Sequence, residues 1–224
     1  MSTLAANGPD SWLWWDWVVR HGDEIWFRTK EHVFLTVVSV VVGTLLAVPA
    51  AILGSRTKLL ATPLLLVGGV IYTIPSLALF ALLIPWTGLS RTTPLIALTS
   101  YTLLILFRNT LTGLSSVPDD VRDAAHGMGY SWGRQLLRIE LPLALPAIIA
   151  GIRIATVTTI GLVTVAALVA QGGYGQFILD GYQRSFRTPI VLGSALSILL
   201  AVVSDVVLVG LQRAMMPWTR VPST

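Results

Sequence analysis

The chain has 224 residues, of which 54% are hydrophobic and only 12% are charged, and its mean hydropathy is +0.76. Soluble globular proteins carry about 25% charged residues, so this composition indicates an integral membrane protein. The formal net charge of +4 does not indicate nucleic-acid binding, and the absence of cysteine excludes disulfides, cysteine metal sites and thiol catalysis. The length fits one membrane domain without a second large soluble domain.

The first 30 residues are rich in tryptophan, with five of the eight tryptophans between Trp12 and Trp26. No basic region precedes the first apolar residues, and acidic residues interrupt the sequence that follows. We therefore expect this segment to stay in the mature protein rather than to act as a secretory signal. The run from Trp12 to Val19 is too short to cross a bilayer, and indole rings prefer the membrane interface. We predict that residues 1–30 form an interfacial amphipathic segment; the alternative is a docking surface for a partner.

Five apolar stretches are each long enough for a membrane-spanning helix, which needs about 20 residues. They are too long and continuous to be the alternating strands of a barrel. We therefore predict an all-α integral membrane protein with five transmembrane helices, in which Pro75 breaks the second. The predicted spans cover about residues 33–53, 61–84, 94–114, 143–168 and 189–211.

The distribution of basic residues gives a weak indication of orientation. An odd number of spans places the two termini on opposite sides of the membrane. With the N-terminus outside, eight Lys and Arg residues would lie inside and six outside. This difference agrees with the positive-inside rule, although it is too small to orient the chain alone.

A charged segment, DDVRDAAHGMGYSWGRQLLRIELPLALP, separates the third and fourth spans at residues 119–146. Pro118 suits the first turn of a helix, and the acidic pair after it stabilises the positive end of the helix dipole. We predict a short helix that is loosened at Gly127 and Gly129, with helical character returning at Arg134. The small residues of this helix permit another protein to approach its backbone closely; an ordinary solvated loop is the alternative.

Seven residues of this segment follow a fixed spacing. The pattern resembles the EAA loop of the permease subunits of bacterial ABC importers, with Asp in place of the usual Glu. The resemblance implies that residues 119–142 form a cytoplasmic coupling loop that binds the ATPase. It also implies that the N-terminus lies outside and that residues 214–224 form a cytoplasmic tail. The matching residues are Asp123, Ala124, Ala125, Gly129, Ile139, Leu141 and Pro142.

Further segments are similar to one subgroup, the permeases for glycine betaine, choline, carnitine and related osmoprotectants. The similarity covers about residues 29–213 and implies a type I ABC importer permease domain over residues 31–213, in the bacterial cell membrane. It implies three kinds of partner: a second permease, identical or paralogous, two ATPase subunits, and an extracytoplasmic substrate-binding protein. The segments are Glu31-His32, Ala47-Val48-Pro49, Ile74-Pro75-Ser76-Leu77-Ala78, Arg108-Asn109-Thr110, Thr112-Gly113, Ala150-Gly151-Ile152-Arg153 and Gly172-Gly173-Tyr174-Gly175.

No nucleotide-binding loop of the form G-x-x-x-x-G-K-[S/T] occurs in the chain. We therefore expect no cofactor in this chain, with ATP and Mg bound by the partner ATPase. The glycines between Gly172 and Gly175 are expected to end the fourth span instead. The external segment after them, residues 176–188, either contacts a substrate-delivering protein or shields the outer gate.

Two opposite charges fall inside predicted spans. Arg153 lies about 16 Å along its helix from Pro142, and Asp205 lies about 12 Å from Arg213, at a rise of 1.5 Å per residue. Opposite charges at similar membrane depth usually pair, so we predict an intramembrane ion pair between Arg153 and Asp205. The alternative is that Arg153 extends to the interface while Asp205 faces a wet cavity. Arg108 is assigned no transport role.

The second span contains the candidates for the translocation path. A proline inside a span frees a backbone carbonyl and bends the helix, which makes Pro75 and Ser76 the first candidates. Tyr72, Thr73 and Asn109 add polar groups. The alternative is a kink that serves packing only.

The three histidines, at positions 21, 32 and 126, lack metal-ligand spacing, and no catalytic constellation is visible. We predict a permease subunit, not an enzyme, that imports a quaternary ammonium osmoprotectant. One alternative is an importer of another small solute such as an amino acid. The other is a channel or secondary transporter that works without an ATPase.

Overall fold

The structure, a computed structural model, describes residues 11–169 and 171–216. These residues are helical apart from short connections and contain no strand. The beginning of the predicted interfacial segment and residues 217–224 of the predicted tail lie outside the described residues. The helices in chain order are α1 (Trp15–Arg20), α2 (Gly22–Gly54), α3 (Lys58–Thr73), α4 (Ser76–Thr87), α5 (Thr92–Ser115), α6 (Asp119–Gly127), α7 (Trp132–Gln135), a π-helical segment (Leu136–Glu140), α8 (Leu141–Ala166), α9 (Gly175–Gln183) and α10 (Arg187–Met215).

Four of the described helical runs are long and apolar enough to cross a membrane. They are α2, α5, α10 and the continuous run Trp132–Ala166 that ends with α8. The helices α3 and α4 form a bent pair, which makes a fifth span only if the two are counted together. The structure therefore supports four or five spans.

The predicted second span is two helices. Pro75 adopts φ −55° and ψ 135°, which is extended rather than helical. A proline also disfavours helical dihedrals in the residue before it, so α3 ends at Thr73 and α4 begins at Ser76.

The first long helix starts earlier than the sequence indicated. The predicted span began at residue 33, where charge disappears, but α2 begins at Gly22 and includes nine residues assigned to the interfacial segment. Asp23 and Glu24 lie in its first turn, where acidic side chains stabilise the helix dipole. From residue 11 onwards, α1 is the one separate helix in the Trp-rich segment, and His21 separates it from α2.

The fourth span also begins earlier than predicted. The coupling loop was expected to extend through Pro142, but α8 starts at Leu141 and continues without a break from the π-helical segment. Pro142 therefore lies inside a continuous helical run, just after its π-helical segment. Most of the segment 176–188, which was predicted to be external and was not resolved into elements, belongs to α9 (Gly175–Gln183).

Contacts within the chain divide it into two compact units. The first contains residues 1–40, 74–99 and 156–204. Its fully buried His32 lies with Nε2 3.1 Å from the carbonyl oxygen of Ile160, while the backbone N–H of Tyr174 donates to Nδ1 at 3.3 Å. Because Nδ1 accepts, the proton of the neutral imidazole is on Nε2 and is donated to Ile160.

The second unit contains residues 41–73, 100–155 and 205–224. Small residues bring α5 and α8 together within it. A Cβ added to Gly113 would lie 2.8 Å from Cβ of Ala147, and one added to Gly151 would lie 2.6 Å from Cβ of Asn109. The apolar core beside these contacts is formed by Ala47, Ala51, Leu106, Phe107, Ala155, Leu114, Leu136, Ala144 and Ile148.

Candidate functional site

Helix α6 lies in the charged segment and begins where the sequence predicted. Pro118 is its N-cap, with φ −61° and ψ 144°, and Asp119 and Asp120 occupy its first turn. The helix ends at Gly127, and the backbone N–H of Tyr130 donates to the carbonyl oxygen of Ala125 at 3.1 Å. Gly129 adopts φ +75°, a left-handed conformation that favours glycine.

The predicted coupling residues of α6 face in two directions. Asp123, Ala124 and Gly129 are exposed, whereas Ala125 is completely buried. The helix therefore offers a surface of one acidic and two small residues while Ala125 fixes its opposite side. Ile139, Leu141 and Pro142 are half-buried in the π-helical segment and at the start of α8.

A buried carboxylate lies behind this surface. Glu140 is 1% exposed, at the end of the π-helical segment. Its Oε2 accepts from Nη2 of Arg56 at 2.6 Å, and its Oε1 accepts from Nε2 of Gln135 at 2.8 Å. Nε of Arg122 is a further 3.8 Å from Oε1. We call Glu140, Arg56, Gln135 and Arg122 the Glu140 cluster.

Arg122 connects α6 to two other elements. Its Nη2 donates to the carbonyl oxygen of Leu114 near the end of α5 at 2.7 Å, and its Nη1 donates to Asp119 at 3.0 Å. Its third nitrogen faces Glu140 without a hydrogen bond of its own. The start of α6 is thus held to the end of α5 and to the π-helical segment.

The far end of α6 is attached through the same cluster. Nδ1 of His126 donates to Oε1 of Gln135 at 3.1 Å. Arg56, in the connection between α2 and α3, lies with its guanidinium 5.4 Å from the ring centroid of Trp132. Polar contacts therefore connect α6 directly to α5, α7 and the π-helical segment, and Glu140 connects it to Arg56 in the α2–α3 connection.

Sequence reasoning missed Glu140 and Arg56. Glu140 occupies the unspecified position between Ile139 and Leu141 in the coupling pattern, and Arg56 is remote in sequence. The available signal was that a lone acid directly before an apolar span needs a partner if it is buried.

The second predicted charge site is formed by Arg153 and Asp205. Nε of Arg153 donates to Oδ1 of Asp205 at 2.9 Å, and Nη2 donates to Oδ2 at 3.0 Å. Their side chains are 31% and 38% exposed. This two-pronged geometry connects α8 to α10.

The candidate path residues are divided between the two units, with Tyr72, Thr73 and Asn109 in the second and Pro75 and Ser76 in the first. Tyr72 packs edge to face on Tyr101 of α5, with ring centroids 5.7 Å apart. Asn109 lies eight residues further along α5, about 12 Å away by the helical rise, and its Nδ2 donates to the carbonyl oxygen of Ile105. The hydroxyl of Thr73 donates to the carbonyl oxygen of Val70 in its own helix. Pro75 is exposed and Ser76 is half-buried at the α3–α4 break.

Among residues 11–169 and 171–216, no group of three or more His, Asp or Glu side chains could hold a metal ion.

Comparison with known proteins identifies the family. Residues 39–221 match the family described as the binding-protein-dependent transport system inner membrane component. The choline transport system permease protein OpuBB of Bacillus subtilis is 34% identical over 88% of this chain and 91% of its own. The osmoprotectant import permease protein OsmW of Salmonella typhimurium is 37% identical over 84% of this chain and 90% of its own.

The fold has a solved counterpart. A chain of the MetNI methionine ABC transporter, in an inward-facing conformation, matches with a TM-score of 0.73 and 21% identity, over 88% of this chain and 95% of its own. The match supports the predicted architecture without bearing on the solute. By its sequence match over most of its length, this chain belongs to the family of binding-protein-dependent transport system inner membrane components, the permease subunits of ABC transporters.

Proposed function

We propose that this chain is the membrane-spanning permease subunit of an ATP-driven importer for a quaternary ammonium osmoprotectant such as glycine betaine, choline, carnitine or proline betaine. Two relatives support this solute class by name, as choline and osmoprotectant permeases. The single observation that carries the mechanism is α6, a short helix with an exposed acidic and small-residue side, fixed to the spans through the buried Glu140 cluster.

In this proposal α6 is the coupling helix. Asp123, Ala124 and Gly129 would contact the ATPase, because their exposed side chains are short and leave the backbone accessible. Two ATPase subunits would bind ATP and Mg and move two such helices when they close on nucleotide. The closure would favour an outward-facing arrangement of the spans, since a ligand shifts a two-state equilibrium towards the state that it binds better.

The remaining partners and the orientation follow from the same proposal. A second permease, identical or paralogous, would enclose the path with this chain, and an extracytoplasmic binding protein would deliver the solute. The N-terminus would lie outside, with residues 1–30 partly in the interface, and residues 214–224 would be cytoplasmic. The α3–α4 pair would count as the second of five spans in the domain formed by residues 31–213.

Within the membrane we assign two roles. Tyr72, Thr73, Pro75, Ser76 and Asn109 are proposed to lie along the path, where the break at Pro75 interrupts the helical hydrogen bonding between α3 and α4. The pair of Arg153 and Asp205 is proposed to hold α8 and α10 together while the spans change state.

Two other functions make different predictions. An importer of another small solute, such as an amino acid, would need the same ATPase contact but would be stimulated by a different solute. A channel or secondary transporter would need no contact with an ATPase, and no solute would stimulate ATP hydrolysis. Stimulation of ATP hydrolysis by candidate solutes, measured with the complete complex and its binding protein, separates the solutes.

The ATPase contact is tested by replacing Ala124 with Arg, because Ala124 is exposed and its neighbour Ala125 is not. Ala124→Arg should abolish co-purification of the ATPase while the permease still migrates as a folded species in gel filtration. Asp120→Ala, also on the exposed side of α6, is the matched control and should retain the ATPase. Normal co-purification and uptake with Ala124→Arg would overturn the proposal.

A further inference from the structure

A cavity of about 170 Å³ lies in the first unit, between α1, the start of α2, α9 and the start of α10. Its walls include three aromatic rings, from Trp17, Phe177 and Phe186, and three charged side chains, from Glu24, Asp180 and Arg184. A single water needs only about 15 Å³ of such space, so the cavity has room for a small organic group. It is smaller than the roughly 300–1,000 Å³ of pockets that take larger ligands.

The ring of Trp17 packs at nearly a right angle against each of the two phenylalanine rings. Trp17 is inclined by 83° to Phe177, with centroids 6.2 Å apart, and by 87° to Phe186, with centroids 5.6 Å apart. His21 stacks on Trp17 at 4.0 Å and fixes the plane of the indole. All three aromatic residues line the cavity, and the face of an aromatic ring attracts a cation.

The charges of the cavity are predominantly negative. The carboxylate of Asp180 is half-buried, and it makes no hydrogen bond or ion pair within residues 11–169 and 171–216. Among the described residues Glu24 pairs with Arg28 alone, at 4.0 Å, and Arg28 lies closer to Glu31, at 3.1 Å. Arg184, the one guanidinium in the wall, is exposed. The carboxylate of Asp180 is therefore available to a cation bound in the cavity.

We propose that this cavity binds a small alkylammonium cation, held by the rings of Trp17, Phe177 and Phe186 and by the carboxylates of Asp180 and Glu24. Arg184 would contact the carboxylate of a ligand that carries one, as betaines do. The identification of the cation as the transported solute rests on the proposed function. In the proposed orientation the cavity faces outward, where a binding protein would release the solute.

The test uses the purified full chain in nanodiscs of phosphatidylglycerol, a lipid without an ammonium headgroup. Binding of radiolabelled choline and of glycine betaine is measured by equilibrium dialysis. Asp180→Asn should weaken both by about tenfold, and Trp17→Leu should do the same, whereas Trp17→Phe should stay within about threefold. Asp16→Asn, an exposed acid on α1 outside the cavity wall, is the control and should bind like the wild type.

Two further arms identify the ligand. Arg184→Gln should weaken glycine betaine and leave choline unchanged. In phosphatidylcholine nanodiscs a weaker affinity for free choline would support an alkylammonium site and identify the lipid headgroup as a second occupant. Absence of choline and betaine binding to the wild type, or equal affinities of the wild type and Asp180→Asn, would overturn the site.

The outcomes separate this site from the proposed function. If the complete complex imports glycine betaine while the chain binds no cation, the site is wrong and the importer proposal stands. If the chain binds the cation but no quaternary ammonium solute stimulates the ATPase, the site stands and the proposed cargo is wrong. Co-purification of the ATPase with each variant shows that it is folded.

Discussion

The Glu140 cluster and the pair of Arg153 and Asp205 are two charge sites of the same unit with different designs. Glu140 is 1% exposed and has hydrogen bonds from Arg56 and Gln135 with Arg122 close by. Arg153 and Asp205 are each about one third exposed and satisfy each other through two hydrogen bonds. The first site gathers several elements around one carboxylate, and the second joins two helices.

The difference follows from the cost of burying charge. An ion that is fully removed from solvent needs several donors, because removing a single partner of a buried pair leaves an uncompensated charge. A pair that keeps partial exposure can relax towards water or headgroups when one partner is lost. The Glu140 cluster should therefore respond strongly to truncation, and the Arg153–Asp205 pair should respond mainly in its transport activity.

The largest expected effect is that of Glu140→Ala, which leaves Arg56 and Arg122 without their shared carboxylate. We expect a loss of about 3–5 kcal/mol in the stability of the permease, seen as a lower apparent melting temperature in detergent. Glu140→Gln should lose less, because its amide oxygen still accepts hydrogen bonds. Asp120→Ala is the control, because it removes an exposed acid from the same segment. If Asp120→Ala and Glu140→Ala had the same melting temperature, burial of Glu140 would contribute nothing to stability.

A smaller effect is expected from exchanging the charges of Arg153 and Asp205. The two single variants and the double variant together test whether the residues act as a pair. Arg153→Asp and Asp205→Arg should each reduce uptake by the reconstituted complex, because each single change places two like charges together. The double variant restores opposite charges at the same positions and should recover uptake. No recovery in the double variant, with all three proteins assembled normally, would count against a functional pair.

The smallest effect is expected at the edge of the Glu140 cluster. His126 is exposed and contributes one hydrogen bond to Gln135, so His126→Ala should cost about 0.5–1.5 kcal/mol. Thermal unfolding of His126→Ala and Glu140→Ala, measured together, compares the loss of stability at the edge of the cluster with the loss at its centre. Equal losses in the two variants would mean that burial does not rank these contacts.

The sequence predicted the Arg153–Asp205 contact more readily than the Glu140 cluster for a physical reason. A charge inside an apolar span is conspicuous, and the helical rise places two such charges at comparable depth. Glu140 lies in a segment that already carries other charges, where an acid suggests a solvated surface. Its burial depends on Arg56, 84 residues away, and on folding of the segment against α5.

The sequence also predicted the boundaries of the helices only in part. Loss of charge located the apolar part of the first span but not its start, because Gly22–Lys30 is helical while still charged. Pro75 marked the break of the second span, since proline acts on its own residue and the one before. Pro142 did not end a helix, since it lies inside the continuous run Trp132–Ala166, so a proline in the sequence does not always mark a boundary.

The cavity lined by Trp17, Phe177 and Phe186 was beyond reach of the sequence. It depends on α9, which the sequence left as a connection, and on packing of α1 against it. Interfacial preference of tryptophan explained the composition of the N-terminal segment equally well.

The most direct test of the central claim is ATP-driven uptake of glycine betaine into liposomes that contain the complete complex, with wild-type permease or Ala124→Arg. The proposed coupling through α6 predicts uptake with the wild type, retained by Asp120→Ala and lost with Ala124→Arg although the permease remains folded. Equal ATP-dependent uptake by the wild type and Ala124→Arg would contradict it.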